Sequence, residues 1–146
     1  MIVADTNLIA HLCLKSKEAA VAEEVYIKDS FWIAPPLWRY EMKNLLVTRQ
    51  RFTDCHLEES VSIYKMAEVI VHEDEIKGDS SAVLEVAKET GLSGYDAEFL
   101  SLARRLQVKL VTSDQKILKA DPVWAISPEL FLTTNPDDWL GAGERG

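Results

Sequence analysis

Residues 2–5, IVAD, are a short apolar run stopped by an acid, and an apolar helical pattern resumes at Leu8. A β-prone segment that feeds at once into a helix reads as strand, turn, helix. The same unit recurs at VKLVTSD (108–114), where another apolar run ends in an acid and the helical segment QKILKAD follows. A chain built from such units has few options. Its strands run parallel, with helical crossovers that cover the sheet.

The rest of the pattern agrees. Helical spacing predicts helices over Leu8–Lys15 and Lys17–Lys28, and SFWIAPP (30–36) predicts a strand ended by two prolines. The second proline suits a helix start, and that helix runs from Leu37 to Arg49 or Gln50. A helix opening at Thr53 is expected to reach Ala67, then EVIVHED (68–74) to form a buried strand, with HEDE (72–75) a charged surface turn closed by Gly78. Ser80–Thr90 reads as a helix stopped by Gly91, Ser93 caps the next helix to Leu106, and VWAI (123–126) is a last strand. The order β-α-α-β-α-α-β-α-α-β-α-β predicts an α/β fold with a mostly parallel central sheet flanked by helices on both faces. Residues 1–132 form one domain in this reading. Residues 133–146, which hold three of the six glycines, form a C-terminal tail that packs through Trp139.

No apolar run approaches the roughly 18 residues that span a bilayer, and no basic and apolar leader opens the chain, so the expected address is the cytoplasm with no membrane partner. The two cysteines, Cys13 and Cys55, lack neighbours at metal-ligand spacing and read as reduced packing residues. The formal charge of −8 excludes broad, purely electrostatic binding of nucleic acid. A nucleic-acid role therefore needs a local basic patch or metal ions.

Four acids stand in apolar settings. Asp5 and Asp114 end strands, where open α/β sheets place their ligands; Thr6 and Asn7 accompany the first, Thr112 and Ser113 the second. Glu41 has Leu37 and Leu45 one turn away on its helix, and Asp96 shares a face with Phe99, Leu100 and Ala103. Each has a plainer reading by itself: Asp114 as a helix cap, Asp5 as a turn residue, Glu41 as a border residue paired with Arg39 or Lys43, and Asp96 as part of a capping box with Ser93. Glu98 points roughly 200° from Asp96 on the same helix and falls outside the set. Taken together, four acids spread along the chain need a common cause. Close carboxylates stay ionised only around cations, and hard oxygen donors suit Mg²⁺ or Mn²⁺.

On IVADTN, PPLWRYEMKNLL around Glu41, SGYDAEFLSLA around Asp96 and LVTSDQKIL around Asp114, the sequence resembles the PIN-domain ribonucleases, especially the VapC-like toxins of prokaryotic toxin–antitoxin pairs. The resemblance implies a PIN-like fold and a Mg²⁺- or Mn²⁺-dependent endoribonuclease. It also implies a homodimer inhibited by a small VapB-like antitoxin whose C-terminal segment enters the acidic groove. By the same resemblance Asp5, Glu41, Asp96 and Asp114 are the catalytic metal-binding acids, and Asn7 and Thr112 orient them. Asn7 stands where many relatives carry serine. The chemistry that follows is hydrolysis of RNA by metal-activated water, leaving a 5′-phosphate and a 3′-hydroxyl.

Substrate contacts are expected from RYEMKNLLVTRQR, with Arg39 and Lys43 foremost and Arg49 and Arg51 beside them, and from Lys15, Lys116 and Lys119 near the strand ends. A solvated helix face is the plainer reading of each. Tyr95 or Trp38 is placed to stack on a base, although such aromatic residues usually belong to the core. His11, His56 and His72 show no ligand spacing. Haloacid-dehalogenase-like phosphatases also begin with a strand ending in Asp but need a second Asp where this chain has Asn7, and no G-x-G-x-x-G follows the first strand. The alternatives are a stand-alone PIN nuclease in RNA processing and a catalytically inactive PIN-like scaffold that only binds protein.

Overall fold

A computed structural model describes residues 1–73 and 79–138. Five short parallel strands form its sheet: β1 (Ile2–Ala4), β2 (Trp32–Ala34), β3 (Val71–Glu73), β4 (Leu110–Val111) and β5 (Ala125–Ile126), in spatial order β3-β2-β1-β4-β5. Every side chain of β1 is buried, as the centre of a parallel sheet covered on both faces requires. Among the described residues eight helices connect and flank the strands: α1 (Thr6–Leu14), α2 (Ala19–Lys28), α3 (Leu37–Phe52), α4 (Leu57–Ile70), α5 (Ser80–Thr90), α6 (Gly94–Leu106), α7 (Gln115–Ala120) and α8 (Pro128–Thr133). Helix α1 packs on α2, α3 and α4, α8 packs on α2, and α5 and α6 form a hairpin whose second arm lies on β1 and β4. The chain is therefore an α/β protein with an all-parallel sheet, as the alternating pattern predicts.

The spatial order fixes where a ligand can sit. From β1 the chain moves outward through β2 to β3, then crosses back to β4 on the other side of β1. The crossovers on the two sides diverge, leaving a crevice at the C-terminal ends of β1 and β4. Pairing of Val3 with Leu110 and Ala4 with Val111 makes Asp5 and Thr112 the next opposed residues. That register, set by buried apolar residues, delivers both to the crevice.

Four segments differ from expectation. Thr53 opens no helix: it caps the C-terminal end of α3, its N–H donating to Arg49 O, and α4 starts at Leu57. EVIV does not start a strand: α4 continues to Ile70 and β3 holds only Val71–Glu73. Buried Ser60, Ile63 and Ala67 keep helical spacing and leave Val69 exposed, so packing overrides the β-preference of the local residues. His72 and Glu73 accordingly end a strand instead of opening a turn; Asp74, Glu75 and Gly78 lie outside the described residues. Helix α8 is an addition. Ser127 accepts a hydrogen bond from Leu130 N, Pro128 sits at the first turn and Phe131 is buried, the usual ingredients of a helix start. Its last residue is Thr133, and Trp139 lies outside the described residues.

Both cysteines are free. Cys13 is in the core, where burial pushes its thiol up to about 11. No helix among the described residues is long and apolar enough to cross a membrane.

Candidate metal centre

The tip of β1 becomes α1 without a spacer, and Asp5 is the N-cap of that helix. One carboxylate oxygen, Oδ1, accepts from Thr6 N at 2.8 Å and the other, Oδ2, from Thr112 Oγ1 at 2.6 Å. The Thr112 hydroxyl in turn accepts from Asp114 N at 3.0 Å. Asp114 caps α7, its Oδ1 accepting from Lys116 N at 2.8 Å. Glu41, on the second turn of α3, accepts from the Thr6 hydroxyl at 3.0 Å. Two buried threonines thus tie three acids from three elements: Thr6 joins Asp5 to Glu41, and Thr112 joins Asp5 to Asp114. Asp96, in the first turn of α6, is held by its backbone, whose N–H donates to the cap Ser93 at 3.1 Å.

The electrostatics mark these groups as one cluster. Burial pushes the Asp5 carboxyl above its ordinary range; hydrogen bonds from Thr112 and Thr6 pull it down, and Asp96 and Asp114 push it up again. Glu41 is raised by burial, eased by Thr6, and raised by Asp5 and Asp96. Asp96 is raised by burial and by Asp114, with Ser93 and Lys116 easing it. Lys116 is the one cation these balances include, and no carboxylate of the four is in an ion pair among the described residues.

The chemistry of this donor set fits a divalent ion. It offers hard oxygens only, each with lone pairs left over after its hydrogen bonds, and a positive charge would offset the burial and the repulsion that raise Asp5, Glu41 and Asp96. Among the described residues no three His, Cys, Asp or Glu side chains converge into a ready-made cage. A small divalent ion held by one or two carboxylates, with waters and phosphate oxygens for the rest of its shell, suits that openness.

The other expected site residues divide. Thr112 lies at the heart of the cluster, whereas Asn7 is exposed on the first turn of α1. Thr6, which sequence reading left as a companion of Asp5, is the bridge to Glu41; its signal was a hydroxyl directly after a strand-ending acid. Arg39 is committed elsewhere. Its guanidinium is held by Glu73, by Glu68 at 2.8 Å and by the Tyr64 hydroxyl at 3.3 Å, and it is not delivered to the acids. Lys43 rests over the rings of Tyr40 and Tyr64, 5.5 and 5.4 Å from their centroids. Trp38 is fully buried against Tyr64 and cannot stack on a base, while Tyr95 is 68% exposed.

The comparisons with known proteins agree with the fold. The family model described as PIN domain matches residues 2–122. The crystal structure of PAE2754 from Pyrobaculum aerophilum is similar in fold, with a TM-score of 0.71 and 25% identity over 90% of this chain and 86% of that one. No curated protein matches the chain. PIN domains are generally nucleases, and the matched stretch contains all four clustered acids. The chain belongs to the PIN-domain family.

Proposed function

We propose that this chain is a Mg²⁺- or Mn²⁺-dependent endoribonuclease and the toxin of a toxin–antitoxin pair, with Asp5, Glu41, Asp96 and Asp114 holding the metal. The observation that carries the nuclease assignment is the cluster itself: Asp5, Glu41, Asp96 and Asp114 come from four separate elements, the first three are raised by burial and by neighbouring acids, and among the described residues no arginine is paired to any of the four. Burying acids in this way costs stability unless a cation completes the site.

Each residue then has a task. Asp5 is central, since both threonines hold it and both flanking acids act on it. Thr112 fixes the rotamer of Asp5 and the backbone of Asp114, and Thr6 fixes Glu41, which limits the reorganisation needed when charge arrives. A bound divalent ion would lower the pKa of a water for attack on phosphorus and neutralise the phosphate oxygens. The carboxylates do not attack the phosphate, so the products carry a 5′-phosphate and a 3′-hydroxyl.

Single-stranded and structured RNA are the substrates to assay, with Mg²⁺ or Mn²⁺, comparing wild type with Asp5→Asn and Asp96→Asn. Cleavage by wild type alone supports the assignment, and equal cleavage by all three sinks it. The toxin role rests on the motifs shared with VapC-like proteins and brings with it a homodimer and a small VapB-like antitoxin. Expression of the chain in a bacterium should arrest growth, and a protein encoded by an adjacent small reading frame should relieve the arrest. If no such neighbour exists, a stand-alone RNA-processing nuclease takes its place.

A further inference from the structure

Beside the acid cluster lies a cavity of about 510 Å³ between the α5–α6 turn and α7. Thr90, Gly91 and Ser93 form one wall, Lys116 and Lys119 the other, and Asp96 is shared with the cluster. Gly91, at φ 73°, turns the chain between the helices, and nothing lies within 4 Å of where its Cβ would stand, so this wall is open backbone.

The two lysines differ from the cations that the fold commits to partners. Arg39 is paired with Glu68 and Glu73, Arg49 with Glu59, and Arg104 with Glu89 and Asp121, while Lys28 donates to three carbonyls. Lys116 and Lys119 stand three residues apart, hence on one side of α7, and both are exposed. Among the described residues neither has an ion-pair partner. In a chain of net charge −8, two unpaired ammonium groups facing a cavity next to a phosphodiester-cleaving site are placed for an anion. The volume lies within the ~300–1,000 Å³ of small-molecule sites, so a whole nucleotide has room.

We infer that this cavity is a nucleotide subsite adjoining the scissile position, in which Lys116 and Lys119 hold the phosphate of a neighbouring nucleotide of the RNA strand. The inference rests on the nuclease reading above. It assigns the two lysines to substrate binding: neither is among the acids proposed to hold the metal, and Lys116 alone also acts on Asp96.

The test compares Lys116→Gln/Lys119→Gln with Lys17→Gln/Lys65→Gln, which removes the same charge from exposed positions elsewhere. Steady-state cleavage of RNA in Mg²⁺ should show KM raised about tenfold and kcat nearly unchanged for the first pair, the signature of lost binding without lost chemistry. Binding of a fluorescein-labelled single-stranded RNA in EDTA, where metal-dependent cleavage is absent, should lose about 0.7 from its log–log salt slope per phosphate contact removed. The control pair should match wild type in both. The subsite is overturned if KM and salt slope stay at wild-type values, if both pairs weaken binding equally, or if kcat falls while KM holds. Cleavage by wild type with an unaffected Lys116→Gln/Lys119→Gln variant removes the subsite alone, whereas no cleavage and no binding by wild type removes the nuclease reading and the subsite with it.

Discussion

Asp121 and Asp5 are both acids drawn largely out of solvent at opposite ends of the sheet, and the chain treats them in opposite ways. Asp121, 5% exposed before β5, is met by the Arg104 guanidinium at 2.7 and 2.8 Å and by the backbone N–H groups of Val123 and Trp124 at 3.2 and 3.0 Å. Glu89 holds the same guanidinium from its other side. Asp5, past the end of β1, has hydrogen bonds but no cation, and two further acids press on it. The first arrangement is self-contained and structural. On the proposed function the second takes its positive charge from outside, which is what distinguishes a binding site from a buried ion pair.

The largest difference should appear in activity. Asp5→Asn keeps an accepting oxygen for the helix cap at Thr6 N, turns the position facing the Thr112 hydroxyl into a donor, and removes the central charge. Loss of one metal-holding carboxylate removes several kcal/mol of transition-state stabilisation, so cleavage of RNA in Mg²⁺ should fall about 10²–10³-fold. Arg104→Met should leave kcat within about threefold when assayed below its melting temperature, because it touches only the structural end. Equal losses of activity would erase the contrast between the two ends.

In stability the order reverses. Arg104→Met strands Asp121 without its cation. A fully buried pair broken in this way loses ~3–5 kcal/mol. With the Arg104 side chain 26% exposed, we expect about 2–3 kcal/mol, or roughly 5–10 °C in Tm by calorimetry. Asp5→Asn should raise Tm in EDTA, since it discharges a carboxyl that burial and neighbours already disfavour. A lowered Tm for Asp5→Asn would mean that the cluster is satisfied as it stands.

Smaller, and confined to the acid cluster, is the effect of Thr112→Val. The substitution keeps shape and removes the hydroxyl that joins Asp5 to Asp114. Outer-shell partners of this kind are worth about 10–100-fold in metal affinity or activity. Titrating activity against Mg²⁺ should show the loss mainly as a raised requirement for the ion. An unchanged Mg²⁺ dependence would reduce Thr112 to a packing residue.

Much of this contrast was legible along the chain, and the limits have physical reasons. Asp5 and Asp114 announce themselves as acids that end apolar strands, and Glu41 and Asp96 as acids among apolar neighbours one turn away, because both signals are local. Thr6 as the link to Glu41 was not legible, since it depends on α3 lying against the start of α1, 35 residues away in sequence. Arg39 looked free in a basic stretch, yet its partners Glu68 and Glu73 follow 29 and 34 residues later. Asp121 read as the tail of a short helix for the same reason, its cation being 17 residues back. Strand order, which makes the crevice, follows from crossover direction and not from any residue type.

The smallest expected effect is also the one that ties the cluster to an ion most directly. The carboxyls of Asp5, Glu41 and Asp96 are raised in the folded chain above 3.8, 4.5 and 3.8. A raised group contributes stability that is fully present below its unfolded pKa and is lost as pH rises through its folded value. In EDTA the Tm advantage of Asp5→Asn over wild type should therefore be largest near neutral pH and shrink as the pH falls through the raised range, where Asp5 takes up its proton and resembles the amide. Mg²⁺ at neutral pH should shrink the same advantage by a different route, because an ion that binds the folded wild type stabilises it by mass action and finds less to hold in the variant. Melting curves of the two proteins, with and without Mg²⁺ from neutral pH down to about 5, separate the possibilities. An advantage that grows on acidification, or that ignores Mg²⁺, would show that the charge on Asp5 is balanced within the fold and that its likeness to Asp121 is closer than the geometry says.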